Sequence, residues 1–400
     1  MLHKNLEGIK IKAEDNNMFS KKFETQELQE IFHGKPLTSI QEDNSRLNMS
    51  ERDRGKTVLQ SYPRRIAFEL TNSCNINCVM CGRNYAKISP AQLTIDQFLW
   101  FKDLFHIVEE VTLMGWGEPT IHPDFVKMLK ILDQTPVRKY FSTNGMLLDE
   151  LEDAIFNYHV DFIAVSINGA TAKTNNQLRR GSDLDKIING IKSIVSRKKD
   201  ICSQWPQLSF VYCLMKTNLH ELLSCIVLAH QLGLNKVKVA YFTAFTKTLF
   251  NETVWGMEHE VQRVFGEVKE LSKQLGIEVT LPYIVGQDSA GTAPHHDCSF
   301  PWRDLFVGAD GLIRPCMTTS KTLCVLDMTK SFFEIWNSDE FVFHRKNVNQ
   351  IRNMPNSCVD CYHCVICNWN LQKSFLQDGH TYSPSWRASH SLVEGKKASN

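Results

Sequence analysis

Three cysteines lie close together in a short loop and could hold a metal centre. Cys74, Cys78 and Cys81 fall within eight residues of one another, immediately after an apolar segment. Zinc in a structural site takes four ligands in a closed shell, which three cysteines leave incomplete. An iron–sulfur cube held by three thiolates instead keeps one iron open for a substrate or cofactor. The spacing therefore favours an open iron–sulfur cluster over the alternative, a structural zinc loop.

A second group of cysteines, near the end of the sequence, could hold another metal centre. Cys298 and Cys316 flank a predicted hairpin, and Cys358 and Cys361 form a C-x2-C pair. Four thiolates suit an auxiliary iron–sulfur cluster, and zinc is the alternative because C-x2-C pairs also bind zinc well. Three further cysteines either hold a second auxiliary cluster or are spare thiols, namely Cys324, Cys364 and Cys367.

Alternating strands and helices are predicted to position these loops. Ile66, Phe68 and Leu70 alternate with other residues before the first cysteine, which predicts a strand. Six strand-then-helix units follow one another up to about residue 276, and this order implies parallel strands with helical crossovers. We expect an α/β fold, as a partial (β/α)6 TIM-like barrel; a doubly wound sheet is the alternative.

Three further motifs, like the cysteine loop, follow predicted strands directly. They are GWGEP at residues 115–119, STNG at residues 142–145 and SING at residues 166–169. The carboxyl ends of parallel strands meet at one edge of a sheet or barrel, where α/β proteins place their chemistry. The sequence therefore predicts one site that combines all four loops.

Local signals predict where several helices begin and end. Thr94 and Gln97 have the spacing of a capping box, and Pro123 suits the first turn of the helix that follows it. Gly233 is expected to end a later helix. Near the C-terminus, Asp310-Gly311 predicts the turn of the hairpin.

Composition excludes several classes of partner. The 400 residues carry 45 Lys and Arg against 44 Asp and Glu, for a formal charge of +1, which gives no electrostatic case for nucleic acid. No apolar run predicts a membrane span or a signal peptide. Thirteen clustered cysteines favour metal or redox chemistry over disulfides. We expect a cytoplasmic protein without nucleic-acid or membrane partners.

The cysteine loop and GWGEP, in this order, resemble the radical S-adenosylmethionine (SAM) superfamily over roughly residues 62–285. The resemblance implies that Cys74, Cys78 and Cys81 bind a 4Fe–4S cluster whose open iron chelates SAM. It also implies contacts between SAM and the other three loops. The implied SAM-binding residues are Gly115, Gly117, Glu118, Ser142, Asn144, Ser166, Asn168 and Arg179. One departure is Met80, where an aromatic residue often precedes the last cysteine, so we expect altered packing near the adenine.

The second cysteine set resembles the SPASM or "twitch" extension of radical SAM enzymes. In this resemblance Cys298, Cys316, Cys358 and Cys361 bind one auxiliary 4Fe–4S cluster, although the full seven-cysteine SPASM pattern is incomplete. We therefore predict an N-terminal extension over residues 1–60, a radical SAM core over 61–285, an auxiliary cluster domain over 286–370 and a tail over 371–400.

The expected activity follows from the resemblance. A radical SAM oxidoreductase or isomerase cleaves SAM to a 5′-deoxyadenosyl radical, which removes a hydrogen atom from the substrate. An electron donor such as flavodoxin or ferredoxin is implied. The incomplete SPASM pattern favours oxidation or rearrangement of a small carbohydrate or aminocyclitol; the alternatives are a peptide-modifying maturase and a non-catalytic zinc or iron–sulfur scaffold. Cys213 is a candidate hydrogen-atom donor, the alternative being a buried structural thiol.

Overall fold

The computed structural model describes residues 35–85, 89–242, 244, 249, 251–254, 256–282, 298–316, 322–350, 353–355 and 358. The strands in this part of the chain are β1 (Arg65–Phe68), β2 (Asn77–Cys78), β3 (Glu110–Leu113), β4 (Arg138–Thr143), β5 (Phe162–Ser166), β6 (Arg179–Arg180), β7 (Gln207–Leu214), β8 (Lys236–Tyr241), β9 (Glu278–Thr280), β10 (Asp304–Val307), β11 (Leu312–Arg314) and β12 (Cys324–Val325).

Helices alternate with these strands. The α-helices described are α1 (Ser39–Asp53), α2 (Ile95–Leu99), α3 (Phe125–Leu132), α4 (Glu152–Asn157), α5 (Ala172–Leu178), α6 (Leu184–Asp200), α7 (Leu222–Gln231), α8 (Glu258–Leu275), α9 (Phe300–Arg303), α10 (Phe332–Trp336) and α11 (Asp339–Asn347). Short 3-10 turns occupy Gly82–Asn84, Lys102–His106, Pro119–Ile121 and Lys216–Glu221. No helix in the described ranges is long and apolar enough to cross a membrane.

One ten-stranded sheet forms the framework, in the order β12-β11-β10-β1-β3-β4-β5-β7-β8-β9. Every neighbouring pair from β10 to β9 is parallel, and only the β10–β11 and β11–β12 pairs are antiparallel. From β1 to β9 the strand order follows the chain order without reversal, whereas a doubly wound sheet reverses it. The prediction of an α/β fold with a parallel sheet is confirmed.

The two faces of the sheet differ in character. Phe68 on β1 packs against rings of the α2 region, and Phe141 on β4 packs edge-on against Phe125 of α3. Both belong to the main hydrophobic core, so this face is the outer one, covered by helices. Because side chains alternate along a strand, residues such as Ser142 and Ser166 lie on the opposite, inner face. The inner face is the one that the site uses.

The predicted helix signals are mostly present. Thr94 and Gln97 form the capping box of α2, and Gly233, with φ of +77°, follows the end of α7. The prediction for Pro123 is wrong in detail, because Asp124 is the residue before α3 and Pro123 therefore lies outside the helix. Gly311, with φ of +71°, occupies the predicted hairpin turn between β10 and β11.

The chain's first described helix, α1, buries a polar face. Asn48 donates to the backbone oxygen of Trp302 at 2.8 Å, and the buried Glu51 carboxylate accepts from the hydroxyl of Ser61 at 2.8 Å. Gln41 donates to the oxygen of Val108, also at 2.8 Å. These bonds attach α1 both to the core and to the segment that begins at Cys298.

The C-terminal segment continues the core sheet. Strand β10 pairs in parallel with β1, with Arg65 opposite Asp304 and Phe68 opposite Val307. The Arg65 guanidinium and the Asp304 carboxylate form an ion pair of 2.6 Å on the inner face. The hairpin therefore begins beside the strand that leads into the cysteine loop. The domain boundary expected near residue 285 stays a prediction.

Candidate active site

A small two-stranded sheet holds the cysteine loop in place. Strand β2 contains Cys78 and pairs antiparallel with β6, where Arg179 lies opposite Cys78. Just beyond β2, the Val79 N–H donates to the oxygen of Leu178 at 2.9 Å. The loop is thus fixed to the segment after β5. Sequence patterns had not indicated this sheet, because two-residue strands carry no periodic signal.

Burial and nearby arginines shift the pKa values of the loop thiols in opposite directions. Burial raises the pKa of Cys78, while the Arg179 guanidinium opposes the rise. Burial also raises the pKa of Cys81, and the backbone N–H and the charge of Arg83 oppose it. Metal centres bind thiolates rather than thiols. The two arginines therefore favour the charge state that a cluster needs.

Gly115 and Gly117 are required by close backbone packing. A Cβ on Gly117 would overlap the backbone oxygens of Thr71 and Ser73, and one on Gly115 would overlap the side chain of Glu69. Between the two glycines, the N–H of Trp116 donates to the Glu69 carboxylate at 2.8 Å. The GWGEP loop therefore lies directly against the start of the cysteine loop, as predicted for a shared site.

Glu118 is a buried acceptor that joins two of the predicted motifs. Its carboxylate accepts from the hydroxyls of Thr120 at 2.6 Å and Thr143 at 2.7 Å, and from the backbone N–H of Asn144 at 2.6 Å. Burial raises the pKa of Glu118, and these hydrogen bonds oppose the rise. The carboxylate thus holds the STNG loop against GWGEP.

Asn144 continues the connection to the cysteines. Its side-chain amide donates to Asn75 at 2.6 Å and lies 3.7 Å from the sulfur of Cys74. Its backbone oxygen accepts from the Arg179 guanidinium at 3.4 Å. STNG, the cysteine loop and Arg179 are therefore brought together, and their expected contacts with SAM stay a prediction.

The SING loop meets the site through Asn168. The Asn168 amide oxygen accepts from the backbone N–H of Cys213 at 3.0 Å, and its nitrogen lies 3.5 Å from the sulfur of Met80. Met80 belongs to a small apolar cluster that also includes Met215 and Phe242. Met80, the residue that departs from the family pattern, is thus a direct contact of Asn168. Whether Asn168 also reaches a ribose stays a prediction.

Ser142 and Ser166 are half-buried at the ends of neighbouring strands. Ser142 lies on β4, and Ser166 is the last residue of β5. Ser166 is in register with Val211 of β7, on the inner face. Both hydroxyls therefore lie on the face and at the edge expected for cofactor contact, and that role stays a prediction.

Cys213 lies next to the cysteine loop. Burial raises its pKa to about 12, and the nearby Cys78 contributes to the rise. Its neighbour in the sheet is Ala240 of β8. Cys213 therefore remains a neutral thiol at physiological pH, and only a neutral thiol carries the S–H bond that hydrogen-atom donation requires.

The donor set fits an open iron–sulfur cluster with a charged ligand. The buried Nε of Arg179 has no hydrogen-bond partner in the part of the chain that the structure describes. Across the same residues, no three Cys, His, Asp or Glu side chains gather around a position for a single metal ion. Three loop thiols beside two arginines suit a cluster that leaves one iron open for a negatively charged ligand.

The predicted auxiliary ligands fall partly inside the described residues. The Cys298 N–H donates to the Asn349 side chain at 2.8 Å, and the Cys358 sulfur lies 3.7 Å from His344 on α11. These two cysteines therefore both lie beside α11 and the turn after it. Cys316 follows β11, and Cys324 is on β12. The other predicted ligands and spare thiols lie outside the described residues, namely Cys361, Cys364 and Cys367.

Sequence reasoning missed two residues that hold the site together. Thr143 bonds to Glu118, and its hydroxyl also accepts from the N–H of Gly145 at 3.0 Å. Glu69 accepts from Trp116 and lies 3.4 Å from the N–H of Ala309 in the β10–β11 turn. A charged residue directly after the alternating apolar residues of β1 was the available signal for Glu69.

Comparison with known proteins identifies the class that this fold and site define. A model of the radical SAM superfamily matches residues 68–242, and a model of the SPASM iron–sulfur cluster-binding domain matches residues 298–362. The chain therefore contains a radical SAM domain followed by a C-terminal SPASM domain. The first match implies a 4Fe–4S cluster with SAM, and the second implies auxiliary iron–sulfur clusters.

Curated relatives match this chain over part of their length. The AdoMet-dependent heme synthase of Methanosarcina barkeri is 32% identical over 192 residues, which are 47% of this chain and 52% of that protein. The mycofactocin maturase MftC of Mycobacterium tuberculosis is 28% identical over 136 residues, 33% of this chain and 34% of that protein. The chain thus spans about half or less of these two relatives.

Solved structures share the fold. Streptococcus suis SuiB bound to the precursor peptide SuiA has a TM-score of 0.58 at 15% identity, covering 82% of this chain and 79% of that chain. A structure described as native anSMEcpe with bound AdoMet and the Cp18Cys peptide has a TM-score of 0.54 at 13% identity, covering 77% of this chain and 89% of that chain.

Proposed function

We propose that this chain is a radical SAM enzyme that modifies a peptide. The observation that carries the catalytic part is the continuous network from GWGEP through Glu118 and Asn144 to Cys74, with Arg179 packed beside it. Bound there, the cluster and SAM would supply a 5′-deoxyadenosyl radical that removes a hydrogen atom from a substrate carbon. An external electron donor such as flavodoxin or ferredoxin supplies the electron.

The chain's own residues have distinct proposed roles. Cys74, Cys78 and Cys81 bind the cluster, and Arg179 offers its guanidinium to the SAM carboxylate. Glu118 fixes the two loops that contact SAM, as its hydrogen bonds suggest. Cys213, kept neutral by burial, donates a hydrogen atom to the substrate radical when the reaction requires one.

A peptide substrate is better supported than a carbohydrate. MftC is named a maturase, and SuiB and anSMEcpe are described with bound peptides. None of these relatives supports the small carbohydrate favoured by the incomplete cysteine pattern. An auxiliary cluster held by the second cysteine group would supply an electron acceptor, and the reaction would then be a net oxidation.

The test of catalysis is SAM cleavage by protein purified without oxygen. With dithionite and SAM, we expect the wild-type chain to release 5′-deoxyadenosine. A variant with alanine at Cys74, Cys78 and Cys81 should release none, whereas Cys202→Ser, at an exposed cysteine, should match the wild type. Zinc without iron in the purified protein, or normal release from the triple variant, would refute the proposal.

The test of substrate class uses candidate precursor peptides encoded beside the gene. Deuterium placed at one peptide carbon should appear in 5′-deoxyadenosine if the peptide is the substrate. Sugar-nucleotide substrates tested in parallel provide the comparison. Transfer from a labelled sugar and not from any peptide would contradict the peptide assignment while leaving the radical chemistry intact.

A further inference from the structure

Lys238 lies in the middle of β8, on the inner face of the sheet. Its chain neighbours Val237 and Val239 are buried in the hydrophobic core, and Tyr241 stacks on Phe265 of α8 with ring centroids 6.3 Å apart. These odd-numbered residues therefore define the outer, helix-covered face. Since strand side chains alternate, Lys238 projects to the inner face.

The register places Lys238 close to the candidate active site. Ser166 of β5 is paired with Val211 of β7, which is paired with Lys238. Adjacent strands are about 4.8 Å apart, so the Cα atoms of Ser166 and Lys238 are about 10 Å apart along this row. Cys213 and Ala240 form the next row on the same face, about 7 Å nearer the cysteine loop.

The side chain of Lys238 is accessible to solvent on the inner face of the sheet. Lys238 is exposed to solvent, yet burial lowers its pKa, and the charges of Lys236 and Arg65 lower it further. Arg65 is on β1, which is separated from β8 by four strands in the sheet. Arg65 and Lys238 both project from the inner face of the sheet, and the charge of Arg65 disfavours the charged form of Lys238.

Two other cations on this face form ion pairs with carboxylates. Lys236 pairs with Glu278 at 2.6 Å, and Arg65 pairs with Asp304 at 2.6 Å. Within the described ranges Lys238 has no ion pair. The inner face thus carries, at Lys238, a solvent-accessible ammonium group with which an anionic ligand can pair.

We propose that Lys238 binds a carboxylate of the substrate inside the barrel. This inference rests on the proposed function and names the chemistry of its substrate. A lysine is a compact point charge with three donors, which suits one carboxylate. In a peptide, the group would be an Asp or Glu side chain or the C-terminal carboxylate. Held there, the substrate lies below the cysteine loop, with Cys213 between its anchor and the cluster.

Lys238 could bind the carboxylate of SAM instead of a carboxylate of the substrate. Protection of Lys238 from acetylation distinguishes these two ligands. Cluster-loaded protein is treated with an acetylating reagent, and modification of each lysine is followed by peptide mass spectrometry. We expect succinate to slow acetylation of Lys238 several-fold but to leave the exposed Lys269 unchanged. Dimethyl succinate, which has no charge, should give no protection. Equal protection by both probes, or by SAM alone, would overturn the assignment.

Two matched variants provide the second measurement. Lys238→Met should abolish the rise in melting temperature that succinate gives the wild type, while iron content and SAM binding are retained. Lys236→Met, two residues away on the same strand, should keep that rise. Retention of the rise in Lys238→Met, or loss of SAM binding in it, contradicts the inference. Failure of the wild type to bind or cleave SAM would instead refute the proposed function.

Discussion

At the scale of single residues, the motif side chains bond mainly to one another. The Glu118 carboxylate is buried and points to Thr120, Thr143 and the backbone of Asn144. A motif residue expected to contact SAM thus acts first on the loops around it. Its removal should affect SAM binding through the position of the STNG loop.

Glu118→Gln should weaken both the fold and SAM binding. The substitution replaces one accepting oxygen with an NH2 group, which in either orientation faces a backbone N–H, that of Asn144 or that of Thr120, and cannot accept from it. We expect a loss of about 1–3 kcal/mol in the free energy of unfolding, measured by denaturant titration, and weaker SAM binding by calorimetry. Glu270→Gln, on the exposed face of α8, is the control. Unchanged stability and SAM affinity in Glu118→Gln would show that the network is dispensable.

Gly117→Ala should disable the site at the backbone level. The new Cβ would overlap the oxygens of Thr71 and Ser73, so the loop would have to move away from the cysteines. We expect SAM binding to fall below detection in equilibrium dialysis. Gly266→Ala in α8 adds the same methyl group where nothing lies within 4 Å, and helix propensity predicts a gain of about 1 kcal/mol. Wild-type SAM affinity in Gly117→Ala would contradict the expectation.

At the scale of elements, the sequence predicted the strand-then-helix units and their motif loops because they follow hydrophobic periodicity. On α6, for example, Ile187, Ile191 and Ile194 are buried, as their helical spacing predicts. The packing of α1 was not predictable in this way, because its buried face consists largely of amides and hydroxyls, such as those of Asn48 and Ser45. The pairing of β10 with β1 was missed because it joins residues far apart in sequence.

Asp304→Asn tests the junction between these two strands. Burial alone would raise the pKa of Asp304, but Arg65 and Arg303 hold it below its usual range. A carboxylate whose pKa is lower in the folded state stabilises the fold at pH values above its ordinary pKa of about 3.9. This contribution disappears as the pH falls through the pKa of the folded state. We expect Asp304→Asn to lose about 3 kcal/mol at pH 7 in denaturant titrations, with the difference from wild type shrinking in acid.

The control for this prediction is Asp200→Asn, at the exposed end of α6, which should change stability by at most about 0.5 kcal/mol. A difference between Asp304→Asn and wild type that stays constant from neutral to acid pH would show that the ion pair is not the source of the loss.

At the scale of the whole molecule, the cysteine loop and the β10–β11 hairpin, which Cys298 and Cys316 flank, are attached to one sheet. Glu69 accepts from Trp116 in the GWGEP loop and lies near the N–H of Ala309 in the hairpin that precedes Cys316. The site that would bind SAM and the segment that would bind an auxiliary cluster therefore share a strand end. Loss of one cluster should leave the fold that holds the other.

Iron analysis tests the number of clusters. Two cubes require about eight iron and eight sulfide per chain. Alanine at Cys74, Cys78 and Cys81 should reduce this to about four of each, as should alanine at Cys298 and Cys358 together. Both measurements use colorimetric assays on protein purified without oxygen. Loss of all iron from either variant would show that the two sites do not assemble independently.

The pairing of β10 with β1 also covers a sheet edge through which two copies of the chain could associate. Without the residues from Cys298 onward, β1 would present its backbone N–H and C=O groups as an open sheet edge, flanked by the apolar residues of the core. Such an edge can pair with the same edge of another chain. A chain that lacks these residues should therefore precipitate rather than persist as a smaller enzyme.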